Sequence, residues 1–260
     1  MSAGRHLAPA LLGAGALLLW EVLVRWQELP VYILPGPLAI FRALVDNWAA
    51  LQTALLVTLK ITVLALGAAV LLGGGLAVLF TQAGWLERAL FPYAVILQVT
   101  PIVAIAPLII IWTGDNVVLA LLICAWIVAF FPMLSNTTIG LRSADRNLVD
   151  LFTLYRASPW QRLRRLQLPA SLPYFFAGLR VSGGLALIGA VVAEFVAGTG
   201  GTASGLAYVI LEAGYRLQIA KMFAALALIA AAGIAIFVGL SALSRLALRR
   251  WHASAIDGEP

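Results

Sequence analysis

Few residues in this chain of 260 are of a type that does covalent or metal chemistry, and their spacing excludes most of it. The two histidines, His6 and His252, stand at opposite ends and form no metal spacing. The single cysteine, Cys124, lies inside an apolar run, where an inert buried thiol is expected and no intrachain disulfide can form. Gly73-Gly74-Gly75 and the stretch Gly198 to Gly201 lack the following Lys-Ser/Thr that a phosphate-cradling loop needs, so this chain is not expected to hydrolyse ATP. The first of these glycine sets suits close helix packing instead. No nucleophile–base set is visible, so no catalytic residue, metal or cofactor is assigned. Charges set among apolar residues include Glu21, Lys60, Arg180 and Glu194. Such residues usually face a protein interior or a cavity. Arg180 and Glu194 are separated by about 21 Å along one helix at ~1.5 Å per residue, so they cannot pair with each other. Arg180 is expected to snorkel at one interface. Glu194 is expected near the other, holding the glycine stretch or facing a cavity, with the structural role weighted above solute contact.

The segment with internal design runs from Leu141 to Arg180, LRSADRNLVDLFTLYRASPWQRLRRLQLPASLPYFFAGLR. Leu148, Leu151, Phe152 and Tyr155 recur at i, i+3, i+4 and i+7, which puts them on one face of a helix. Ser158-Pro159-Trp160-Gln161 then reads as a fresh helix start. The serine is the N-cap, proline takes the first turn where its missing N–H costs nothing, and glutamine sits at the capping-box position. Arg162, Arg164 and Arg165 decorate this second helix, and Leu168-Pro169 is expected to stop it. Arginines at a membrane surface set topology and touch anionic lipid. That does not account for an apolar face and an internal cap, which suit a docking element.

Composition fixes the medium in which this segment must be held. The chain is 63% hydrophobic and 11% charged, against roughly a quarter charged for soluble domains, so it is an integral membrane protein. Its net charge of +6 is dispersed, which does not suit nucleic acid. Six apolar stretches are each close to the ~20 residues that cross a bilayer. They are Leu7 to Val24, Ile61 to Leu86, Ala89 to Gly114, Asn116 to Leu141, Tyr174 to Val196 and Met222 to Leu243. The first follows Arg5 and contains Ala14-Gly15-Ala16, a signal-peptide-like pattern, but its apolar run continues and reads as an uncleaved span. Glu87-Arg88 and Asp115 alone separate spans two, three and four, so these are antiparallel neighbours. With both termini cytoplasmic, the inner segments carry eleven arginines: Arg5, Arg88, Arg142, Arg146, Arg156, Arg162, Arg164, Arg165, Arg245, Arg249 and Arg250. The outer loops carry Arg25, Arg42, Arg216 and Lys221. This bias places the 141–172 segment in the cytoplasm. The expected fold is thus all-α, with six transmembrane helices in one domain over 1–260 and a core over about 55–250.

The residues of that segment also carry a resemblance. Asp150-Leu151-Phe152, Ala157-Ser158, Leu168-Pro169, Leu172-Pro173 and Gly178-Leu179-Arg180 resemble the cytoplasmic loop of ABC-importer permeases, the binding-protein-dependent inner-membrane component. The likeness covers roughly Tyr32 to Arg250 and is nearest the nitrate/sulfonate/taurine branch, whose ILP-x-P motif is matched by Ile33 to Pro37. It implies a type I importer permease fold with a coupling helix between spans four and five. The implied coupling residues are Leu148, Asp150, Leu151, Phe152, Tyr155, Ala157, Ser158, Leu168 and Pro169. It further implies a homodimer in the bacterial inner membrane, two ABC ATPase subunits that use the ATP, and an extracytoplasmic substrate-binding protein. The solute is then a small anion such as nitrate, a sulfonate or taurine, or a vitamin- or pyrimidine-like heterocycle. The stretch Gly205 to Tyr215 resembles members near riboflavin and pyrimidine-precursor importers. One departure is Arg156, where the family has glycine. Arginine in a left-handed C-cap is strained, so the first helix is expected to end differently or to run on to Ala157.

Within the third span Pro92, Pro101 and Pro107 bracket Gln98 and Thr100, a pattern for a broken helix lining a pathway or for kinks that only shape the bundle. Gln98, Thr100, Pro101 and Glu194 are the candidate pathway residues. Asn136, Thr137 and Thr138 read as the polar cap of span four in preference to an inner mouth. An ion-coupled secondary transporter without an ATPase is the alternative class. It calls for inverted repeats and buried coupling carboxylates. No repeat is visible, and Glu194 is the only deep acid.

Overall fold

The computed structural model describes residues 3–114, 116–198 and 204–249. Asp115, Thr199, Gly200, Gly201, Arg250 and His252, all weighed in the sequence, lie outside the described residues. Those described are helical or in short turns, in the order α1 (Ala3–Trp26), α2 (Pro37–Asp46), α3 (Trp48–Gln82), α4 (Gly84–Val99), α5 (Ile102–Thr113), α6 (Val117–Arg142), α7 (Arg146–Leu154), α8 (Pro159–Arg162), a π-helical turn (Leu163–Gln167), α9 (Leu168–Ala197), α10 (Leu206–Tyr215) and α11 (Ile219–Leu248). Among the described residues, four helical runs are long and apolar enough to cross a membrane: α3, α6, the continuous Pro159–Ala197 run and α11. A fifth follows if α4 and α5 count as one broken span. The chain divides into two compact units, residues 1–57 with 198–231, and residues 58–197 with 232–260.

In the first unit, Leu51, Ala54, Leu206, Val209, Ala224 and Ala225 form the core, with Ile40 and Leu44 of α2 laid against it. Trp20 of α1 meets Phe223 edge-on, with ring centroids 6.2 Å apart. Glu21 has a defined task here. One carboxylate oxygen accepts from Leu38 N at 3.1 Å and the other pairs with Arg25 at 2.7 Å, so a residue of α1 caps the N-terminus of α2. Gly36 is the N-cap of α2, and a Cβ there would lie 2.6 Å from that same carboxylate, so a side chain would have to displace it.

The second unit is built on α6 against α9. Gly140 lies beside Ser171 and Tyr174, Gly178 beside Pro132 and Asn136, and Gly189 beside Ala125, so the two helices run antiparallel with small residues along the seam. A Cβ on Gly178 would lie 2.8 Å from that of Asn136, and one on Gly189 would lie 2.8 Å from Ala125 Cα. The backbones approach closely enough for Ser182 Oγ on α9 to donate to the Ala129 carbonyl on α6 at 2.8 Å. Ile61, Ala65 and Ala69 of α3 and Ala106 and Ile109 of α5 complete this core. Hydroxyls within the helices are largely satisfied by their own backbone one turn back, as with Thr62 to Thr58 O and Thr138 to Leu134 O.

The third predicted span is a broken helix, as one of the two readings of its prolines expects. α4 and α5 are bent by 102° at Thr100-Pro101. Of the three prolines only Pro101 breaks the chain, standing as the N-cap of α5, while Pro92 and Pro107 lie inside helices. The reading of the polar trio at the end of span four is corrected. α6 runs on to Arg142, so Asn136, Thr137 and Thr138 are interior to it. Asn136 donates to Pro132 O at 2.8 Å, the carbonyl one turn back on its own helix. Thr137 Oγ1 is buried without a partner.

The glycine seam makes a prediction. Gly178→Leu lowers the thermal unfolding midpoint in detergent, followed by circular dichroism, by the equivalent of about 1–3 kcal/mol of overpacking. The control Gly184→Leu, where an added Cβ meets nothing within 4 Å, changes it little.

Candidate functional site: the 141–172 segment

The segment begins where α6 ends. Asp145 is the N-cap of α7, its carboxylate accepting from Asn147 N at 2.7 Å. The helix is nine residues long and none of them is buried. Its apolar face is bare: Leu148, Leu151 and Tyr155 are exposed, Tyr155 to 80%, and Phe152 is half-buried. Leu154, off that face, is exposed as well. Asp150 lies exposed beside them.

The helix ends as a glycine-capped helix would, with arginine in the glycine position. Arg156 has φ +51°. Its N–H bonds Thr153 O at 3.0 Å, and Ala157 N–H reaches back to Phe152 O at 2.9 Å, which together are the paired hydrogen bonds of a Schellman cap. Both sequence expectations for this point, a different ending or a continuation to Ala157, are thereby corrected. Two backbone hydrogen bonds, and the immediate restart at Ser158, outweigh a left-handed strain of roughly 1–2 kcal/mol. The restart is the capping box anticipated from sequence: Ser158 Oγ accepts from Gln161 N at 3.3 Å and Gln161 Oε1 accepts from Ser158 N at 2.8 Å.

Leu168-Pro169 does not stop the second helix. Helical structure continues from Pro159 to Ala197. The chain accommodates Pro169 by widening the turn ahead of it into a π-helix over Leu163–Gln167, closed by Leu168 N–H on Leu163 O. A proline ring clashes with the carbonyl four residues earlier, and the wider π turn relieves that clash. Leu168 and Pro169 consequently sit in the body of the helix, where they line an apolar hollow of about 580 Å³ with Gly74 and Gly75 of α3, Thr137 of α6 and Phe175 of α9. Leu163 and Leu166 of the π turn are buried. Arg164 and Arg165 are exposed, while Arg162 is half-buried with Nε unpaired. Between α7 and α8 a notch of about 280 Å³ is lined by Leu151, Phe152, Tyr155, Ala157, Gln161 and Arg165. The arrangement has no catalytic geometry. It presents an exposed apolar ridge and a notch with one guanidinium at the rim.

Residues 65–253 match the family described as the binding-protein-dependent transport system inner membrane component. The chain belongs to this family. It is a permease of the ABC transporter type, and its relatives agree. It is 37% identical to the riboflavin transport system permease protein of Chloroflexus aurantiacus, over 92% of this chain and 87% of that one. It is 32% identical to a putative aliphatic sulfonates transport permease protein of Bacillus subtilis, over 86% and 80% of the two chains. Among solved structures, an amino acid ABC transporter chain superposes with TM-score 0.63 at 18% identity, covering 81% of this chain and 98% of that one. That likeness concerns the fold alone.

The permease's other candidate residues fall in two places. Gln98, Thr100 and Pro101 stand together at the bend between α4 and α5. Gln98 and Pro101 are exposed, and Thr100 Oγ1 is turned to its own Ile96 carbonyl at 2.7 Å. Glu194 is on α9, 3% exposed, and accepts from Thr58 Oγ1 of α3 at 2.8 Å. It therefore helps hold α9 to α3. Of the remaining charges, Lys60 is exposed and Arg180 half-buried. Sequence reading missed the ion pair of Glu87 in the first turn of α4 with Arg142 in the last turn of α6. Both residues were treated as topology markers, and only the fold brings them together across 55 positions.

Two substitutions test the capped geometry. Arg156→Gly, which removes the left-handed strain, stabilises the end of α7 by about 1 kcal/mol, seen as slower hydrogen exchange of the α7 amides. Ser158→Ala costs about 1 kcal/mol and speeds exchange across α8.

Proposed function

We propose that this permease is the membrane-spanning subunit of an ATP-driven importer. In this reading the ridge of Leu148, Leu151, Phe152 and Tyr155 seats in a soluble P-loop ATPase. The single observation that carries it is a bare apolar helix face fastened by caps at both ends and joined to a helix that runs on through the membrane. A helix meant only to lie on lipid needs neither the Schellman end nor the capping box. Asp150, Ala157 and Ser158 belong to the same docking element, whereas Leu168 and Pro169 contribute by giving the π turn its shape. ATP is bound by the partner, and the permease itself holds no cofactor.

The reading extends to an assembly. The chain acts as a single permease domain with six spans, formed by α1, α3, the broken α4–α5 pair, α6, α9 and α11. It lies in the bacterial inner membrane with both termini in the cytoplasm, which the arginine distribution supports. Two copies frame the pathway, two ATPases dock beneath, and an extracytoplasmic binding protein delivers the solute. ATPase closure then draws the α7 ridges together and opens the pathway outward. Gln98, Thr100 and Pro101, at the break where backbone groups leave the helical ladder, are the pathway residues of choice. The solute is a small anion or a flat heterocycle, in keeping with relatives named for sulfonates and for riboflavin. Its selection rests mainly with the binding protein.

The test is co-purification in mild detergent. The wild-type chain brings down a P-loop ATPase in equal stoichiometry. Phe152→Asp and Tyr155→Asp each reduce that capture by about tenfold or more, as expected for charge placed in the centre of an interface, with unchanged thermal midpoints. Wild-type capture by a well-folded Phe152→Asp chain overturns the docking assignment. A chain that purifies alone and moves solute down an ion gradient replaces it with an ion-coupled transporter.

A further inference from the structure

We propose that the Glu87–Arg142 ion pair is the joint through which the 141–172 segment moves the broken α4–α5 pair. Both residues are then positioning residues for transport. The inference rests on the importer reading and adds the route by which motion enters the membrane.

The placement of the pair is the first argument. Arg142 is the last residue of α6, three positions before Asp145 caps α7. Glu87 lies in the first turn of α4. The pair therefore links the root of the exposed ridge to the near end of the helix whose far end is the 102° break. Each charge also suits its helix end, the acid at an N-terminus and the base at a C-terminus, so the two helix dipoles favour the same contact.

The surroundings give the second argument. Phe80 of α3, Ala94 of α4, Phe130, Leu134 and Leu141 of α6 and Leu163 of the π turn form one buried cluster. The two roots of the segment, the end of α6 and the π turn, thus share a packed block with α4, and packed blocks transmit displacement because they do not deform continuously. The pair itself is only partly covered: the Arg142 side chain is 52% exposed and that of Glu87 18%. Pairs so placed add little to stability. Beside it lies an open hollow of about 470 Å³ lined by Gly84, Glu87, Arg88, Phe91, Pro92 and Arg142. A charged contact next to free space can pivot without repacking, which a hydrophobic contact there could not do.

The experiment reads the far end of α4 and needs no knowledge of the solute. In a Cys124→Ala background, Gln98→Cys carries a nitroxide, and the permease is reconstituted in nanodiscs with its captured ATPase. ATP with vanadate closes the ATPase, and the change in label mobility at position 98 is recorded. The wild-type chain shows a change. Glu87→Gln and Arg142→Gln capture the ATPase as well as wild type does, yet the amplitude at position 98 falls about fivefold or more. The exchanged pair Glu87→Arg with Arg142→Glu recovers much of it. A full-amplitude response from an ATPase-bound Glu87→Gln permease overturns the joint while leaving the importer reading intact. Failure of Glu87→Gln to fold also overturns it, because the pair is then a structural necessity. A wild-type chain that captures no ATPase overturns the importer reading, and this inference with it.

Discussion

The close approach of α6 and α9 is the contact on which the second unit depends. In a bilayer, apolar side chains gain nothing by leaving lipid for protein, so two helices must be held by van der Waals contact and by hydrogen bonds that lipid cannot offer. Glycines at 140, 178 and 189 remove the side chains that would hold the backbones apart, and Ser182 spends its hydroxyl on the opposing Ala129 carbonyl. α3 then adds a hydrogen bond of its own to α9, from Thr58 to the buried Glu194. The charge at Glu194, for which the sequence favours a structural role over solute contact, is in this fold the end of a strut. Its position is explained by packing before any transport role is asked of it.

A stiff pair of spans matters because the exposed segment is an interruption between them. α7 hangs between the last residue of α6 and the start of the Pro159–Ala197 run, whose first turn is α8, so any force on it is delivered to the two helices joined along the glycine seam. The π turn belongs to this logic. A plain α-helix through Pro169 would kink, and a true helix stop there would put a flexible joint between the segment and the membrane. The wider turn keeps the helix continuous and buries Leu163 and Leu166, which anchors the run beside the α6 end.

Much of this was legible in the sequence, and the parts that were not share a cause. Five of the six apolar runs, one of them broken, the face of Leu148, Phe152 and Tyr155, and the Ser158–Gln161 box are local patterns, and local patterns survive folding when nothing opposes them. The errors came where a local rule met a compensation it could not see. Arg156 violates the glycine preference for a left-handed residue, and so do Glu28 and Leu217, all at positive φ. In each case the residue itself and the one after it donate the two backward hydrogen bonds that offset the strain: Glu28 to Arg25 and Leu29 to Val24, Leu217 to Gly214 and Gln218 to Ala213, and the pair at Arg156. Glycine marks such caps in sequence. Their geometry does not need it. Leu168-Pro169 failed as a stop for a similar reason, because a π turn has no compositional signature. Glu87 with Arg142 could not be read at all, since nothing in the sequence pairs residues on different helices.

The same contrast separates what the membrane imposes from what the segment adds. Spans chosen for apolarity tolerate many sequences, which is why hydropathy finds them and says so little about the solute. The 141–172 segment has no such freedom. Its ridge is useful only if both ends are fixed, and its two caps, its π turn and the Glu87–Arg142 contact are all means of fixing it. A chain that needed only to sit in a bilayer would have no reason to hold these features within one stretch of surface. Their concentration there, more than any single residue, is what supports the proposal that the segment docks on a soluble partner.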